Sequence, residues 1–367
     1  MRQERFDATR SGERTKIHRD KGKANWLLLY TALFLTALGV LFIYELTSVE
    51  KDIDNRWYYV IMQGTFGLYG LLCALIISKL DYRRINEICS CLLGFVILLI
   101  ILLQIPGFGV GQVLTVGEMT ISVPLVLMPA LCLMLAKILC SKDDFVGIKV
   151  LGYWAASLIL FIAISDYKGA LCFSIIVFIM LFVEDVRYAL LCSSIVVSVG
   201  AVLISKQDWY SWQRIAVWLD PFIDPNGRGY ESIASLYTMA SGGALGVGFG
   251  DNKAAYYLTD AKTTYIMAGI VREIGWVGAM LVIATYVVFL IMAVKIACRA
   301  RDRFGFYLAS VIMVRFAVML VLNLFVTVNF IPAMRFSLPF ISYGGSKVAV
   351  DYMLVGILLS ISRCNAA

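Results

Sequence analysis

Near its C-terminus the chain contains the run Leu338-Pro339-Phe340-Ile341-Ser342-Tyr343-Gly344-Gly345-Ser346, which lies between two long apolar stretches. The run includes one proline, two adjacent glycines and three hydroxyl-bearing side chains. Irregular backbone is tolerated at membrane depth only where protein or a water-filled cavity covers it. The run therefore predicts a covered, non-helical segment that leads into a last membrane-spanning helix.

The composition around this run is that of a membrane protein. Hydrophobic residues make up 60% of the 367 positions and charged residues 16%, whereas soluble domains are about 45–50% apolar. Apolar stretches of spanning length, about 17–25 residues, begin near Trp26, Trp57, Ile88, Thr120, Ile148, Gly169, Val186, Thr263, Phe306 and Ser346. The sequence predicts an all-α polytopic membrane protein with about ten transmembrane helices.

The distribution of lysine and arginine predicts the orientation. These residues concentrate in the first 23 positions and in alternate loops, at 79–84, 142–149 and 295–303. Because cytoplasmic segments are enriched in positive charge, both termini are predicted to be cytoplasmic. Residues 1–25 have the composition of a disordered basic leader. We expect residues 26–363 to form one membrane domain and residues 364–367 a cytoplasmic tail.

One long loop, about 206–262, is predicted to lie outside and to be structured. It carries many aromatic residues, which can pack or lie at the membrane interface: Trp209, Trp212, Trp218, Phe222, Tyr230, Tyr237, Phe249, Tyr256 and Tyr257. Its glycine-rich stretch from Ser241 to Gly250 follows no strand. Tight backbone packing explains that stretch better than a phosphate-binding loop does.

Several functional classes are disfavoured by composition. The net charge of +7 comes from residues beside membrane helices, which favours contact with anionic membrane lipid over nucleic acid. The nine cysteines show no disulfide framework or metal-site spacing. The only histidine, His18, lies in the leader, which excludes histidine-based catalysis at the outer face.

Ionisable residues inside predicted spans are costly and usually face a partner or a cavity. The clear cases are Arg272, Glu273, Arg315, Lys347 and Asp351. Lys347 and Asp351 are four residues apart, on one helical face, which predicts a local ion pair. Glu273 either orients the loop before it or pairs with an arginine such as Arg315.

Further motifs precede the run that opened this section. They are Trp218-Leu219-Asp220-Pro221-Phe222, Asp224-Pro225, Gly229-Tyr230, the stretch 241–248, Glu273-Ile274-Gly275 with Gly278, Asn323 and Pro332. In this order and spacing they resemble the SEDS family, the RodA, FtsW and SpoVE type of peptidoglycan polymerase, over about 214–362. The first half resembles the family mainly in its pattern of spans.

The resemblance implies a bacterial inner-membrane protein of cell-wall synthesis, in division, elongation or sporulation. It would transfer a disaccharide from lipid II to a growing glycan strand at the outer face, with undecaprenyl pyrophosphate as the leaving group. It also implies a class B penicillin-binding protein as partner. No cofactor is identified from the residues, and a divalent cation is left open because the departing pyrophosphate needs cationic or metal stabilisation.

The reaction needs a carboxylate to accept the proton of the acceptor hydroxyl. The family places its essential aspartate in a Thr-Asp-Phe motif, nine residues ahead of the glutamate that Glu273 matches. Counting back nine residues reaches Thr264, which has no carboxylate. Asp260 lies four residues earlier, so a four-residue insertion makes it the candidate base. The alternatives for Asp260 are a solvated loop carboxylate or the N-cap of the eighth span.

Other site residues follow from the resemblance. Arg214 matches a family arginine and is the phosphate candidate, and Arg335 could replace a missing family lysine. That lysine belongs to a Gln-Pro-Ser-Glu motif, whose place is taken here by residues 121–125, Ile-Ser-Val-Pro-Leu. Together with Glu273, Ser342 and Tyr343 complete the predicted substrate-binding set.

Two other functions fit the same sequence. A catalytically inactive scaffold for a class B penicillin-binding protein is favoured by the missing carboxylates. A lipid or solute transporter is permitted by ten spans with intramembrane charges, although no internal repeat of the kind found in many transporters is visible.

Overall fold

The computed structural model describes residues 25–47, 55–104, 109–110, 112–116, 119–141, 145–184, 210–250, 258 and 260–365. Predictions for the leader at 1–24, the span near Val186 and the last two residues of the tail lie outside the described residues. In the described part the chain is a helical bundle with one small sheet, which confirms the predicted fold class.

The helices of the described ranges, in chain order, are α1 (Trp26–Thr47), α2 (Asn55–Lys79), α3 (Arg83–Leu103), α4 (Val123–Leu139), α5 (Val146–Ala163), α6 (Tyr167–Val183), α7 (Tyr210–Leu219), α8 (Tyr230–Gly242), α9 (Ile266–Cys298), α10 (Arg303–Thr327) and α11 (Gly345–Asn365). Seven are long and apolar enough to cross a membrane, and α4 and α6 are shorter apolar helices. Nine of the ten predicted spans are therefore helices. Helices α7 and α8 show that the long loop is structured.

The fourth span begins later than predicted. Residues Met119–Ser122 form strand β3, which pairs antiparallel with β2 (Val113–Val116), and β2 pairs with β1 (Gly109–Val110). Helix α4 starts only at Val123, with Pro124 in its first turn. Proline suits this place because its fixed φ is helical and it lacks the N–H that would go unpaired. The apolar character of this stretch hid the sheet.

Helix α2 packs along α11, and small residues allow their close approach. A Cβ atom added at Gly70 of α2 would lie 2.7 Å from the Cα atom of Ala349. On the neighbouring α1, a Cβ atom at Gly39 would lie 2.7 Å from the Cα atom of Ile341. Close backbone contact between helices is typical of membrane proteins, where van der Waals packing drives association. The non-helical run near the C-terminus is thus covered by α1 and α2.

Helix α9 is interrupted at Gly275, whose φ of 73° and ψ of 178° are not helical. The glycine-rich stretch after α8 replaces the helical hydrogen bonds lost there. The amides of Val247 and Gly248 donate to the carbonyls of Arg272 and Glu273. In return, the amides of residues 276 and 277 donate to the carbonyls of residues 243 and 244. The prediction of tight backbone packing for this stretch is confirmed.

One end of the bundle carries linked basic residues. Nε of Arg83 lies 3.8 Å from Oδ2 of Asp302, and Arg363 at the end of α11 donates to the carbonyl of Lys79. Arg303 pairs with Glu184 at 3.3 Å. The start of α11 and the turn before α9 lie at the opposite end, because each helix carries the chain across the bundle. The candidate site lies at that opposite end.

Candidate functional site

The run that precedes α11 is bonded to the turn that precedes α9. Oγ of Ser342 donates to the carbonyl of Thr263 at 2.6 Å and accepts the amide of Leu338 at 2.8 Å. The amide of Tyr343 donates to the carbonyl of Lys262 at 2.8 Å. Two segments almost 80 residues apart in sequence therefore form one unit, and Asp260 and Thr264 belong to it.

Two buried amide side chains hold this unit in the bundle. Gln63 of α2 donates to the carbonyl of Ser342 at 3.2 Å and accepts the amide of Gly344 at 3.1 Å. Asn323 of α10 donates to the carbonyl of Thr264 at 2.8 Å and to that of Phe336 at 2.7 Å. Both side chains are fully buried. Backbone groups that leave regular structure at membrane depth must be satisfied in this way.

A buried ion pair lies under the same run. Nη1 of Arg315 is 3.0 Å from Oδ1 of Asp351, and both side chains are less than 10% exposed. Phe340, in the run above this pair, has a φ of 64°. The predicted local pair between Lys347 and Asp351 is therefore wrong. Arg315 of α10 is the partner of Asp351 instead, because it reaches the carboxylate directly. Water does not screen the attraction between the two charges in this buried region.

The candidate base Asp260 begins the turn before α9. The amides of Thr264 and Tyr265 donate to its backbone carbonyl at 3.1 and 3.2 Å. Its Oδ2 atom lies 3.0 Å from Nε of Arg335, in a contact that has ion-pair distance but not hydrogen-bond alignment. The Asp260 side chain is 24% exposed and that of Arg335 is 73% exposed.

The N-cap alternative for Asp260 is wrong, because Tyr265 occupies the cap of α9 and no side chain bonds there. Thr264 is 3% exposed and offers a hydroxyl where the family motif has a carboxylate. The bond from the Thr264 amide to the Asp260 carbonyl closes a turn that places the two residues close together. Burial, with smaller contributions from Glu231 and Asp260, raises the pKa of the Tyr265 phenol, which stays neutral.

Glu273 is buried in α9, and Nη1 of the adjacent Arg272 lies 3.1 Å from its Oε1 atom. The ion pair with an arginine that the sequence allowed for Glu273 is therefore present, but the partner is Arg272 rather than Arg315, which binds Asp351. The backbone carbonyl of Glu273 accepts a hydrogen bond from the amide of Gly248 in the glycine-rich stretch after α8. This contact is made by the backbone, so the roles of the Glu273 side chain in orienting the loop and in binding a substrate stay predictions.

The remaining predicted residues are placed differently. Arg214 belongs to α7, but its side chain lies outside the described residues. The ring of Tyr343 meets that of Tyr59 edge-on at 5.0 Å, and Nζ of Lys262 lies 3.9 Å from the centre of the Tyr59 ring. Substrate binding by Ser342 and Tyr343 stays a prediction. Their described contacts are with other residues of this protein.

Sequence reasoning missed Gln63 and Tyr59. A signal for Gln63 was available, because it is the one side-chain amide in the apolar stretch from Trp57 to Lys79. A lone amide in a span needs a buried partner. Tyr59 gave no such signal, since aromatic residues near the end of a span are ordinary interface residues.

An acidic residue, Asp166, caps the start of α6. Asp166 accepts the amide of Gly169 as the N-cap of that helix, and burial raises the pKa of its carboxyl. Among the described residues, no group of three His, Cys, Asp or Glu side chains could hold a metal ion. The divalent cation stays a prediction.

Comparison with known proteins finds similarity over almost the whole chain. A family of cell cycle proteins, FtsW/RodA/SpoVE, matches residues 25–367. A probable peptidoglycan glycosyltransferase FtsW of Trichlorobacter lovleyi is 31% identical over 352 residues, which cover 92% of each chain. Stage V sporulation protein E of Bacillus subtilis is 28% identical over 361 residues, which cover 94% of this chain and 98% of the relative.

Solved structures share the fold. A chain from a peptidoglycan synthase complex, described in terms of coordinated polymerization and crosslinking, superposes with a TM-score of 0.77 at 22% identity, covering 93% of this chain and 98% of the other. The rod shape determining protein RodA of Thermus thermophilus superposes with a TM-score of 0.66 at 20% identity, covering 93% and 97%.

Proposed function

The chain belongs to the FtsW/RodA/SpoVE family of cell cycle proteins, and on that premise we propose that it polymerises peptidoglycan glycan strands from lipid II. It is an integral membrane protein of the bacterial inner membrane. The similarity to a probable peptidoglycan glycosyltransferase supports the reaction class. The single observation that carries the proposal is Asp260, a carboxylate placed one turn before Thr264 and beside Arg335.

The proposed orientation puts both termini in the cytoplasm. Arg83, which contacts Asp302, and Arg363, which donates to the carbonyl of Lys79, lie at one end of the bundle. Basic residues of this kind mark the cytoplasmic side. Asp260 then faces the outside, where glycan strands are made. The outer loop with α7 and α8 lies on that same side.

In the proposed reaction, the Asp260 carboxylate accepts the proton of the attacking sugar hydroxyl. The hydroxyl oxygen forms the new glycosidic bond to the anomeric carbon of the other sugar, and the bond from that carbon to the pyrophosphate oxygen breaks. The pyrophosphate leaves with the bonding electron pair and needs positive charge nearby. Arg335 is suited to this, because its exposed side chain can turn from Asp260 to a phosphate group, which its planar fork binds well.

The test is lipid II polymerisation by the purified full-length protein. We expect Asp260→Asn to reduce the rate at least about 100-fold, in line with the loss of a general base. Asp220→Asn is the matched control, because Asp220 is another carboxylate of the outer loop and its acceptor role toward the Phe222 amide survives in asparagine. An Asp260→Asn rate within about threefold of the wild type would reject Asp260 as the base.

A second function has its own supporting observation. Thr264 provides no carboxylate, and the Asp260 carboxylate is in ion-pair contact with Arg335. These facts favour a non-catalytic scaffold that holds a class B penicillin-binding protein. The scaffold predicts no polymerisation by wild-type protein with or without that partner, together with retained binding of the partner. Polymerisation by the wild type that Asp260→Asn abolishes would eliminate the scaffold.

A further inference from the structure

Arg335 is presented by a tight turn. The amide of Phe336 donates to the carbonyl of Met334 at 2.9 Å, which closes a three-residue turn with Arg335 in the middle. Phe336 is buried, whereas the side chain of Arg335 is 73% exposed. The turn is therefore anchored in the protein at Phe336, and Arg335 projects from it.

Asp260 is presented by a second tight turn. Its backbone carbonyl accepts the amides of Thr263, Thr264 and Tyr265 at 3.1–3.2 Å. Thr264 is buried, so this turn is also anchored at the end away from its functional side chain. Along the chain the two turns are separated by the whole of α9 and α10. Contacts between the segments must therefore set the distance between them.

One side chain bonds to both turns. Nδ2 of Asn323 donates to the carbonyl of Thr264 at 2.8 Å and to the carbonyl of Phe336 at 2.7 Å. These carbonyls belong to the anchored ends of the two turns. Asn323 itself is fixed in α10 and fully buried. A single nitrogen atom thus holds the two carbonyl oxygens side by side.

The orientation of the Asn323 amide follows from its partners. Both partners are carbonyl oxygens, which only accept hydrogen bonds, so the nitrogen of the side chain must face them. Its Oδ1 atom is then left buried without a hydrogen-bond partner among the described residues. A buried polar atom without a partner is rare and calls for an explanation. Here the explanation is that both hydrogens of the amide are directed at the two turns.

We propose that Asn323 is a positioning residue that sets the separation of the Asp260 carboxylate and the Arg335 guanidinium. The inference rests on the proposed function and deepens it, because it names the residue through which the base and the cation are held. The two groups act on different atoms of one step, the acceptor hydroxyl and the departing pyrophosphate. A misplacement of about 1 Å can cost about 100-fold in rate. The partly exposed ion pair between Asp260 and Arg335 cannot replace Asn323, because exposed pairs are weak.

The first test is steady-state polymerisation of lipid II by the full-length protein. Asn323→Asp keeps the shape of the side chain but offers at most one donor, so it cannot hold both turns. We expect it to lower kcat about tenfold or more and to change KM by less than about threefold, because Asn323 does not touch the substrate. A wild-type kcat in Asn323→Asp would overturn the proposal.

Thr327→Val is the matched control for this measurement. The Thr327 hydroxyl is as buried as Asn323, lies one turn further along α10 and donates to the backbone carbonyl of Asn323. It bonds to neither of the two turns. We therefore expect kcat within about threefold of the wild type. A loss in Thr327→Val as large as that in Asn323→Asp would overturn the proposal, since any buried polar change in α10 would then have the same effect.

A double-mutant cycle separates positioning from a general loss of folded protein. If Asn323 acts through Arg335, its substitution costs less in a protein that already lacks the arginine. We expect the loss in kcat caused by Asn323→Asp to shrink at least about threefold in an Arg335→Met background. An equal loss in both backgrounds would show that Asn323 supports only folding, and would overturn the proposal.

The separation of the two turns can also be measured without turnover. Nitroxide labels on Asp260→Cys and Arg335→Cys, in a variant without other cysteines, report it by electron paramagnetic resonance. The labels remove the ion pair, so the distance depends on the anchoring of the turns alone. We expect a narrow distance distribution that Asn323→Asp broadens and Thr327→Val leaves unchanged. The same distribution with and without Asn323→Asp would overturn the proposal.

The label measurement distinguishes failure of this inference from failure of the proposed function. A protein that never polymerises lipid II, but whose label distance depends on Asn323, would keep the positioning role and lose the proposed function. A protein that polymerises, and whose kcat and label distance are the same in Asn323→Asp, would keep the proposed function and lose the positioning role.

Discussion

At the scale of single residues, Ser342 shows how a hydroxyl can join distant parts of the chain. Its Oγ atom is both donor and acceptor in bonds to Thr263 and Leu338, in a place with little access to water. The resemblance pointed to Ser342 as a substrate contact. The described contacts show that it also fixes the turn that carries Asp260.

We expect Ser342→Ala to lower the free energy of unfolding by about 1–3 kcal/mol, because a buried amide and a buried carbonyl each lose their partner. Ser346→Ala removes an exposed serine four residues away and should change stability by less than about 0.5 kcal/mol. Denaturant titration in one detergent measures both variants. Equal effects of the two substitutions would contradict the internal role of Ser342.

The pair formed by Arg315 and Asp351 is the second residue-scale feature. Arg315→Leu leaves Asp351 as a buried carboxylate without its arginine, so we expect a loss of about 3–5 kcal/mol. In the double variant Arg315→Leu/Asp351→Leu both charges are absent, and it should recover more than half of that loss. The same titration measures the recovery. A double variant as unstable as the single one would show that packing, rather than uncompensated charge, dominates here.

At the scale of elements, the interruption of α9 is stabilised by a partner segment. Two amides and two carbonyls around Gly275 bond to the stretch after α8. The sequence indicated close packing of that stretch from its glycines, but not what it packs against. Such a partner is set by tertiary contact, and neither apolar periodicity nor turn chemistry specifies it. The sheet before α4 was missed for a related reason, because its strands lie in an apolar stretch that also fits a span.

Two glycines with similar backbone geometry separate steric overlap from backbone strain. Gly246 has a φ of 82° and Gly248 a φ of 87°. A Cβ atom at Gly246 would overlap the carbonyl oxygen of Glu273, whereas one at Gly248 meets nothing within 4 Å. We expect Gly246→Ala to destabilise by about 1–3 kcal/mol more than Gly248→Ala. Thermal unfolding of both variants in one detergent checks this difference, and equal losses would contradict the overlap.

At the scale of the whole molecule, the sequence predicted the order and approximate bounds of nine helices and the existence of a structured loop. Long apolar stretches give that information directly, because each must satisfy its own backbone in lipid. Contacts between helices were predicted poorly. Spacing along α11 suggested that Lys347 pairs with Asp351, yet Arg315 of another helix takes that place. The spacing of residues along one helix cannot show that a side chain from a distant segment will form the ion pair instead.

The orientation of the molecule is tested by cysteine labelling. Cys298 is exposed at the basic end of the bundle, and the proposed orientation places it in the cytoplasm. In a variant that retains only this cysteine, a membrane-impermeant maleimide should not label intact spheroplasts. Adding Asp220→Cys in the outer loop should give strong labelling. Labelling of Cys298 in intact spheroplasts, without that added cysteine, would reverse the orientation.

The interruption of α9 also determines which segments can be swapped between related proteins to make a chimera. Because the residues of α9 around Gly275 and the glycine-rich stretch satisfy each other's backbone, neither can be transplanted alone without leaving amides and carbonyls unpaired. Residues 242–248 and 272–277 therefore have to be exchanged together. A chimera that imports both segments keeps these hydrogen bonds, whereas a boundary at Met267 separates the two segments.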